Sequence, residues 1–244
     1  MKQKHDTTVF IEATQSPVPS RLLYVPPIHR KPPTSGRAKW IDSDGAKRGF
    51  DIIGATLILL FFLPVFMLVA FLILLLHGRP VFFSHTRIGR GDAPFPCLKF
   101  RTMHCDAERR LAACLVADPA RQLEWAEGQK LRHDPRILGV GRLLRKSSLD
   151  ELPQLINVLR GDMSLVGPRP IISEEKSKYG DDFTAYAVLR PGITGLWQVS
   201  GRNHTTYDER VALDMHYAET RTMAGDLRIL LRTVAVVVTG YGAY

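Results

Sequence analysis

A run without one charged side chain, Ile52 to Leu76, separates two unlike parts of this chain. It exceeds the ~20 apolar residues that span a hydrocarbon core and reads as a membrane segment. Upstream, Met1 to about Gly45 is polar, shows no apolar period, and is broken by Pro17, Pro19, Pro26, Pro27, Pro32 and Pro33. Such a stretch buries too little surface to offset its ordering entropy, and a mostly disordered arm is expected. It has neither the apolar centre nor the cleavage site of a secretory signal.

Pro64 divides the apolar run into arms of about 12 residues, each ~18 Å long if helical, a little over half of a ~30 Å core. Arg30, Lys31, Arg37, Lys39, Lys47 and Arg48 precede the run, and Arg79, Arg87, Arg90, Lys99 and Arg101 follow it. Positive charge marks the cytoplasmic side, and here both flanks carry it. Two basic ends and a central break predict a re-entrant helix, with a kinked single span as the alternative. The lack of Ser or Thr from Leu57 to Leu76, which could cap the carbonyl that Pro64 frees, speaks for the span.

Beyond residue 80 the pattern shortens. Val81 to Arg101 reads as extended pieces punctuated by Gly89, Gly91, Pro94 and Pro96. Helical character is expected over Asp106 to about Leu131, Leu149 to Leu159, Asp181 to Leu189, and Tyr207 to about Thr222. Leu227 to Thr239 is apolar, with Arg228 and Arg232 on one face. It suits a helix on a membrane surface or one packed on a core. No internal repeat is present.

Composition narrows the partners. The 244 residues carry a formal charge of +9, which attracts nucleic acid, anionic lipid or phosphorylated small molecules. The basic residues follow the membrane segment and phosphate-like loops rather than a recognition helix, which argues against nucleic acid. Cys97, Cys105 and Cys114 suit neither a metal knuckle nor a disulfide framework and read as reduced thiols. The eight histidines show no helical metal spacing.

The candidate chemistry centres on Arg145 to Pro170, RKSSLDELPQLINVLRGDMSLVGPRP. Ser147 and Ser148 stand where they could cap a helix whose first turn holds Asp150 and Glu151. Leu149, Leu152, Leu155, Ile156 and Leu159 form an apolar stripe, Asp150, Gln154 and Asn157 lie on another face, and Gly161 closes the helix. Paired carboxylates could simply complement the helix dipole. Arg142, Arg145, Lys146 and the stiff Gly167-Pro168-Arg169-Pro170 loop add cations that would keep the pair ionised and neutralise phosphates. A carboxylate so placed can attack phosphorus or hold magnesium. Lys99 and Arg101 flank Phe100, and Arg190 to Asn203 displays Gln198 and Arg202 on Gly/Pro-rich turns able to read phosphate, ribose or base.

The KFRTM, LRKSSLDELPQLINVLRGDMSLVGPRP and RPGITGLWQVSGRN blocks resemble the bacterial sugar transferases, monotopic polyprenyl-phosphate phosphoglycosyl transferases, from about Lys47 onward. Within that family the chain is most similar to the galactosyl- or glucosyl-phosphate transferases that initiate exopolysaccharide synthesis. The resemblance implies a helix-rich α/β catalytic domain on the cytoplasmic face of the bacterial inner membrane, with a re-entrant N-terminal helix. The expected division is a cytoplasmic arm at 1–45, a membrane helix broken at Pro64 over 46–78, and a catalytic domain with interfacial helices over 79–244.

It also implies an undecaprenyl-phosphate sugar phosphotransferase, with inner-membrane lipids around it, Mg2+ as cofactor and a homodimer left open. By resemblance Asp150 attacks the β-phosphate of a UDP-sugar and expels UMP. Undecaprenyl phosphate then takes the sugar phosphate, galactose before glucose. Glu151 helps hold Mg2+ with Asp150 or takes a proton, and Arg145 and Arg169 bind phosphate. Leu63 stands where relatives often have Ser, and Ala218 to Gly225 replaces their aromatic-rich segment. A membrane-anchored binding module for anionic lipid is the reading from another class.

Overall fold

The computed structural model describes residues 41–128, 131–201 and 205–239. Most of the expected arm therefore lies outside the described residues.

The apolar run forms part of one helix, α1 (Ile41–His77), with Pro64 inside it. Among the described residues this is the one helix long and apolar enough to cross a membrane, and its most apolar window is only 11 % buried. Leu57, Leu60, Phe61, Met67, Leu68 and Phe71 are exposed, Phe61 by 77 %. A helix this bare of protein cover needs a membrane around its middle.

Both ends of α1 are tied to the same globular domain. At the N-terminal end Lys47 Nζ lies 3.0 Å from Asp51 Oδ1 and 2.8 Å from Asp226 Oδ2. Asp51 also accepts from Ser164 Oγ and the Leu165 amide, while the Tyr217 hydroxyl bonds Asp226. The Arg48 guanidinium donates to the Val158 and Leu159 carbonyls. At the other end the Arg101 guanidinium donates to the carbonyls of His77, Gly78 and Arg79, the kind of free acceptors that a helix C-terminus leaves. Between these anchors Ala55, Val69 and Ile73 are buried, Val69 and Ile73 against Phe100 and Leu144.

Val81 to Arg101 is a hairpin rather than separate pieces. Strand β1 (Phe82–Ile88) pairs antiparallel with β2 (Pro94–Phe100), with Phe83 opposite Lys99, His85 opposite Cys97 and Arg87 opposite Phe95. Prolines 94 and 96 are tolerated because the Leu98 amide, two residues on, points off the ladder to Asn157 Oδ1. Alternate residues point the same way, so no ladder bond is lost at either proline. Asn157 Nδ2 donates to the Pro96 carbonyl, so one side chain stands in for a third strand.

Helices α2 (Ala107–Ala117) and α3 (Pro119–Gly128) replace the single expected helix. Pro119 opens a new helix, and Asp118 Oδ1 accepts from the Ala120 amide. α4 (Gly139–Lys146), a tight turn at Leu149–Glu151 and α5 (Gln154–Arg160) follow. Strand β3 (Ser164–Val166) leads to the short helices α6 (Lys176–Tyr179) and α7 (Phe183–Ala187). β4 (Gly192–Thr194) then pairs parallel with β3, Ser164 beside Gly192 and Val166 beside Thr194.

Side chains at Gly167, Gly192 or Gly195 would collide with backbone of the facing segment. The glycines of the two Gly/Pro loops therefore serve the close packing of those loops on each other. α8 (Leu196–Ser200), α9 (Tyr207–Thr220) and α10 (Met223–Thr239) complete the domain. On α10, Ile229 and Val236 are buried while Leu227, Leu231 and Val234 face out, so the tail packs on the core and keeps an apolar outer face.

The main core gathers Ala55, Leu155, Val158, Met163, Leu165, Val199, Tyr217 and Ile229 around β3. Lys47 is the shared counter-ion of two carboxylates exposed by 1 and 3 %. Truncating it leaves them buried without a cation, so Lys47→Ala is expected to cost about 3–5 kcal/mol of stability. Thermal unfolding in detergent measures this, and an unchanged midpoint would count against the network.

Candidate active site

The turn that carries the carboxylates is set by Pro153. With no N–H, it cannot donate to the Leu149 carbonyl, as a regular helix would require. The Leu152 amide takes that acceptor instead at 3.2 Å, and the Glu151 amide bonds the Ser148 carbonyl at 3.2 Å. The chain tightens into a 3-10 turn, and α5 starts only at Gln154.

This corrects two expectations. The helix does not begin at Leu149, so neither carboxylate lies in the first turn of α5, and dipole complementation does not explain the pair. Nor do the serines cap it. Ser148 is left-handed (φ 57°), and Ser147 Oγ donates back to the Leu143 carbonyl. The face that carries Gln154 and Asn157 is buried, with Gln154 3 % and Asn157 0 % exposed. Gly161 does close α5, left-handed at φ 96° and bonded to the Asn157 and Val158 carbonyls.

Asp150 is buried and Glu151 half-exposed. Lys99, projecting from β2, bonds Glu151 Oε1 at 2.6 Å and lies 4.0 Å from Asp150 Oδ2. Arg145, from α4, donates Nε to Thr102 Oγ1 at 2.9 Å. Arg142 and Lys146 are exposed, so of the three cations on α4 only Arg145 turns inward.

Burial is the largest influence on Asp150 and pushes its carboxyl up to about 6. Glu151 acts in the same sense, and Lys99 and Arg145 pull against both. The cations were expected to govern this group, but desolvation outweighs them. For Lys99, burial disfavours the charged form, yet the neighbouring carboxylates prevail and its pKa is raised.

A second group of cations lies along the same hairpin face. Arg87 bonds the Pro170 carbonyl and sits 3.9 Å from Glu175. Glu175 also lies 3.9 Å from Arg210. Arg169 and Arg210 both lie over the Trp197 ring, at 5.3 and 4.7 Å. The Pro-Arg-Pro loop is held against the hairpin by the Ile88 amide on the Ile171 carbonyl. The Tyr186 hydroxyl lies within hydrogen-bond reach of the Ile88 and Arg169 carbonyls and the Ile171 amide.

Lys99, Arg145, Asp150 and Glu151 are thus brought together, with Arg169 on the neighbouring wall. Arg101 sits apart, its guanidinium capping the end of α1. Gln198 donates to the Ile193 carbonyl, and Arg202 lies outside the described residues. Arg87, Glu175 and Arg210 lie outside the expected site residues, and Thr102 and Trp197 stand in the KFRTM and RPGITGLWQVSGRN blocks without an expected role of their own. The alternation of a hairpin, once its register is known, places Arg87 on the face of Lys99, but no local pattern points to the others.

One buried aspartate with a second carboxylate and several cations around it suits phosphate chemistry. The pattern that defines the bacterial sugar transferases matches residues 43–240, most of the chain. The chain belongs to the bacterial sugar transferase family. It is 45 % identical to the exopolysaccharide production protein ExoY of Sinorhizobium fredii over 82 % of this chain and 88 % of that protein. It is 48 % identical over 81 % of its length to the undecaprenyl-phosphate galactose phosphotransferase of Salmonella typhimurium, covering 41 % of that protein. The UDP-glucose:undecaprenyl-phosphate glucose-1-phosphate transferase of Caulobacter vibrioides is 42 % identical over 82 % of this chain and 73 % of its own. The chain therefore spans less than half of the Salmonella relative, and about nine tenths of the ExoY protein.

In this bacterial sugar transferase a folded-state pKa near 6 lies above the ordinary value of ~3.9 for an unfolded aspartate. Folding then favours the protonated form, and ionised Asp150 opposes folding above pH 6. Asp150→Asn is expected to melt higher than wild type at pH 8. The margin should shrink as pH falls through 6 and protonation relieves the wild type. A variant less stable at both values would contradict the burial argument.

Proposed function

We propose that this protein transfers a hexose 1-phosphate from a UDP-sugar to undecaprenyl phosphate, releasing UMP, as the first membrane step of exopolysaccharide synthesis. The observation that carries this is the buried Asp150 carboxylate near Lys99 and Arg145, on a turn whose Leu149 and Leu152 pack against the apolar helix α1, in a chain of this family. The names of its relatives make galactose the first sugar to test and glucose the second.

Asp150 is the nucleophile. An oxygen of its carboxylate attacks the β-phosphorus of the donor, and the bond from that phosphorus to the bridging oxygen breaks, so UMP leaves with the electron pair. The sugar phosphate is then esterified to Asp150. An oxygen of the lipid phosphate attacks the same phosphorus, the phosphorus–aspartate bond breaks, and the free carboxylate returns. Glu151 takes the proton from a protonated lipid phosphate. Lys99, Arg145 and Arg169 neutralise the phosphate oxygens, the main requirement of phosphoryl transfer.

Asp150 and Glu151 would also hold Mg2+, which typically takes one or two carboxylates and completes its shell with phosphate and water. Among the described residues no group of three or more metal-ligating side chains occurs, so a cation here depends on that pair and on the substrate. When bound it supplies positive charge to the phosphates.

The re-entrant reading of α1 is supported by its anchors. Lys47 and Arg48 at one end and the Arg101 cap at the other join a single domain, so both ends belong on one membrane face. We place that face in the cytoplasm, on the inner membrane, because both flanks are basic.

With wild type, incubation with radiolabelled UDP-galactose and no lipid should leave label on the protein. Asp150→Asn should leave none, and retained label removes Asp150 as nucleophile. kcat/KM is expected to fall about tenfold per pH unit below about pH 6, as the nucleophile is protonated. For orientation, cysteines placed at 20 and 240 should both be shielded from an impermeant external reagent. Labelling of one alone means a span.

A further inference from the structure

We propose that Trp197 is a positioning residue for Arg169, holding its guanidinium by the face of the indole so that the donors stay free for a phosphate of the nucleotide-sugar. This rests on the reading of Arg169 as a phosphate-binding group.

The two residues meet because of strand register. β3 and β4 run parallel with Val166 beside Thr194, and Arg169 and Trp197 each stand three residues beyond that pair. Gly167 and Gly195 let the two segments touch at backbone distance, which carries the first turn of α8 against the Pro-Arg-Pro loop.

Arg169 differs from the other inward-turned arginines. Arg48, Arg101 and Arg190 donate to backbone carbonyls, and Arg87 and Arg210 face Glu175. Among the described residues the Arg169 guanidinium donates to no acceptor; it lies over the Trp197 ring at 5.3 Å, while the buried Asp214 carboxylate bonds the Arg169 backbone N–H and acts on the guanidinium by charge alone. A cation over an indole face is held in place without using its N–H groups. Arg210 lies on the same ring at 4.7 Å and on Tyr207 at 4.8 Å, with Glu175 3.9 Å away, so the indole is itself packed against a second cation.

The indole N–H plays no part in this. Trp197 is 4 % exposed, and its Nε1 is buried without an acceptor among the described residues. What this position uses is therefore the π face and its bulk, which phenylalanine supplies in part and leucine does not.

The test uses the full chain in detergent, with UMP release from UDP-galactose in the presence of undecaprenyl phosphate. Trp197→Leu should lower kcat/KM for UDP-galactose about tenfold, the scale of a partly desolvated cation–π contact. Trp197→Phe should stay within about twofold of wild type. In an Arg169→Ala background Trp197→Leu should add nothing further, because the two act as one unit. A leucine loss that persists without Arg169, or a phenylalanine variant as poor as leucine, overturns the proposal. If Arg169→Ala itself turns over normally, the phosphate assignment fails first. Should Trp197→Leu melt early, tetrafluorotryptophan in a Trp40→Phe, Trp125→Phe background keeps the shape and removes the ring's negative face, which phenylalanine retains. kcat/KM must then fall, and an unchanged value rejects the proposal.

Discussion

An apolar helix that the domain covers along only a narrow edge has to be fastened to it without leaving charge or backbone unpaired, and the two fastenings of α1 set the rest of the structure. At one end Lys47 neutralises Asp51 and Asp226 together, joining α1, β3 and α10 in a single buried network. At the other, Arg101 gathers the carbonyls of His77, Gly78 and Arg79. Each is a charged group desolvated only because its partners are already in place. Arg101 also lies two residues beyond Lys99 on the chain that leaves β2. The clamp that holds the membrane helix thus holds the hairpin that presents a cation to Asp150.

That arrangement gives the site its chemical character. Asp150 stands between Leu149 and Leu152, which pack with α1 and with Leu144 of α4, and burial raises its pKa toward neutrality and makes it a stronger base than a solvated carboxylate. Lys99 and Arg145 keep it from being protonated outright. The same burial that makes the group reactive opposes folding while it is ionised, so stability is given up at the one residue where chemistry is proposed. The proposed lipid acceptor and water-soluble donor could both reach such a group at a membrane surface, and α1, the one described helix long and apolar enough to enter a membrane, lies close to it.

Much of the element plan was legible from local pattern, because period and punctuation are local properties. The charge-free run from Ile52 to Leu76, the strands around Gly89 and Gly91, the stop at Gly161 and the helix from Tyr207 all follow from neighbouring residues. The errors came where one residue changed the hydrogen-bond count. Pro153 turned an expected helix start into a 3-10 turn, and Pro119 divided another helix. Asn157, placed by period on the polar face of a helix, closes the free edge of β2, which no local pattern reveals.

The sequence by itself determined the membrane segment, its basic flanks, and the carboxylate pair with cations on nearby loops, since each is written within a few dozen consecutive residues. Only the tertiary structure decided which cations face that pair, and it chose Lys99 and Arg145 over Arg142 and Lys146. It also decided that Arg101 serves the helix end and that Trp197 meets Arg169. These are contacts between segments far apart in the chain, set by strand register and by glycines that let backbones touch. Local composition carries no record of which distant segment a side chain will face.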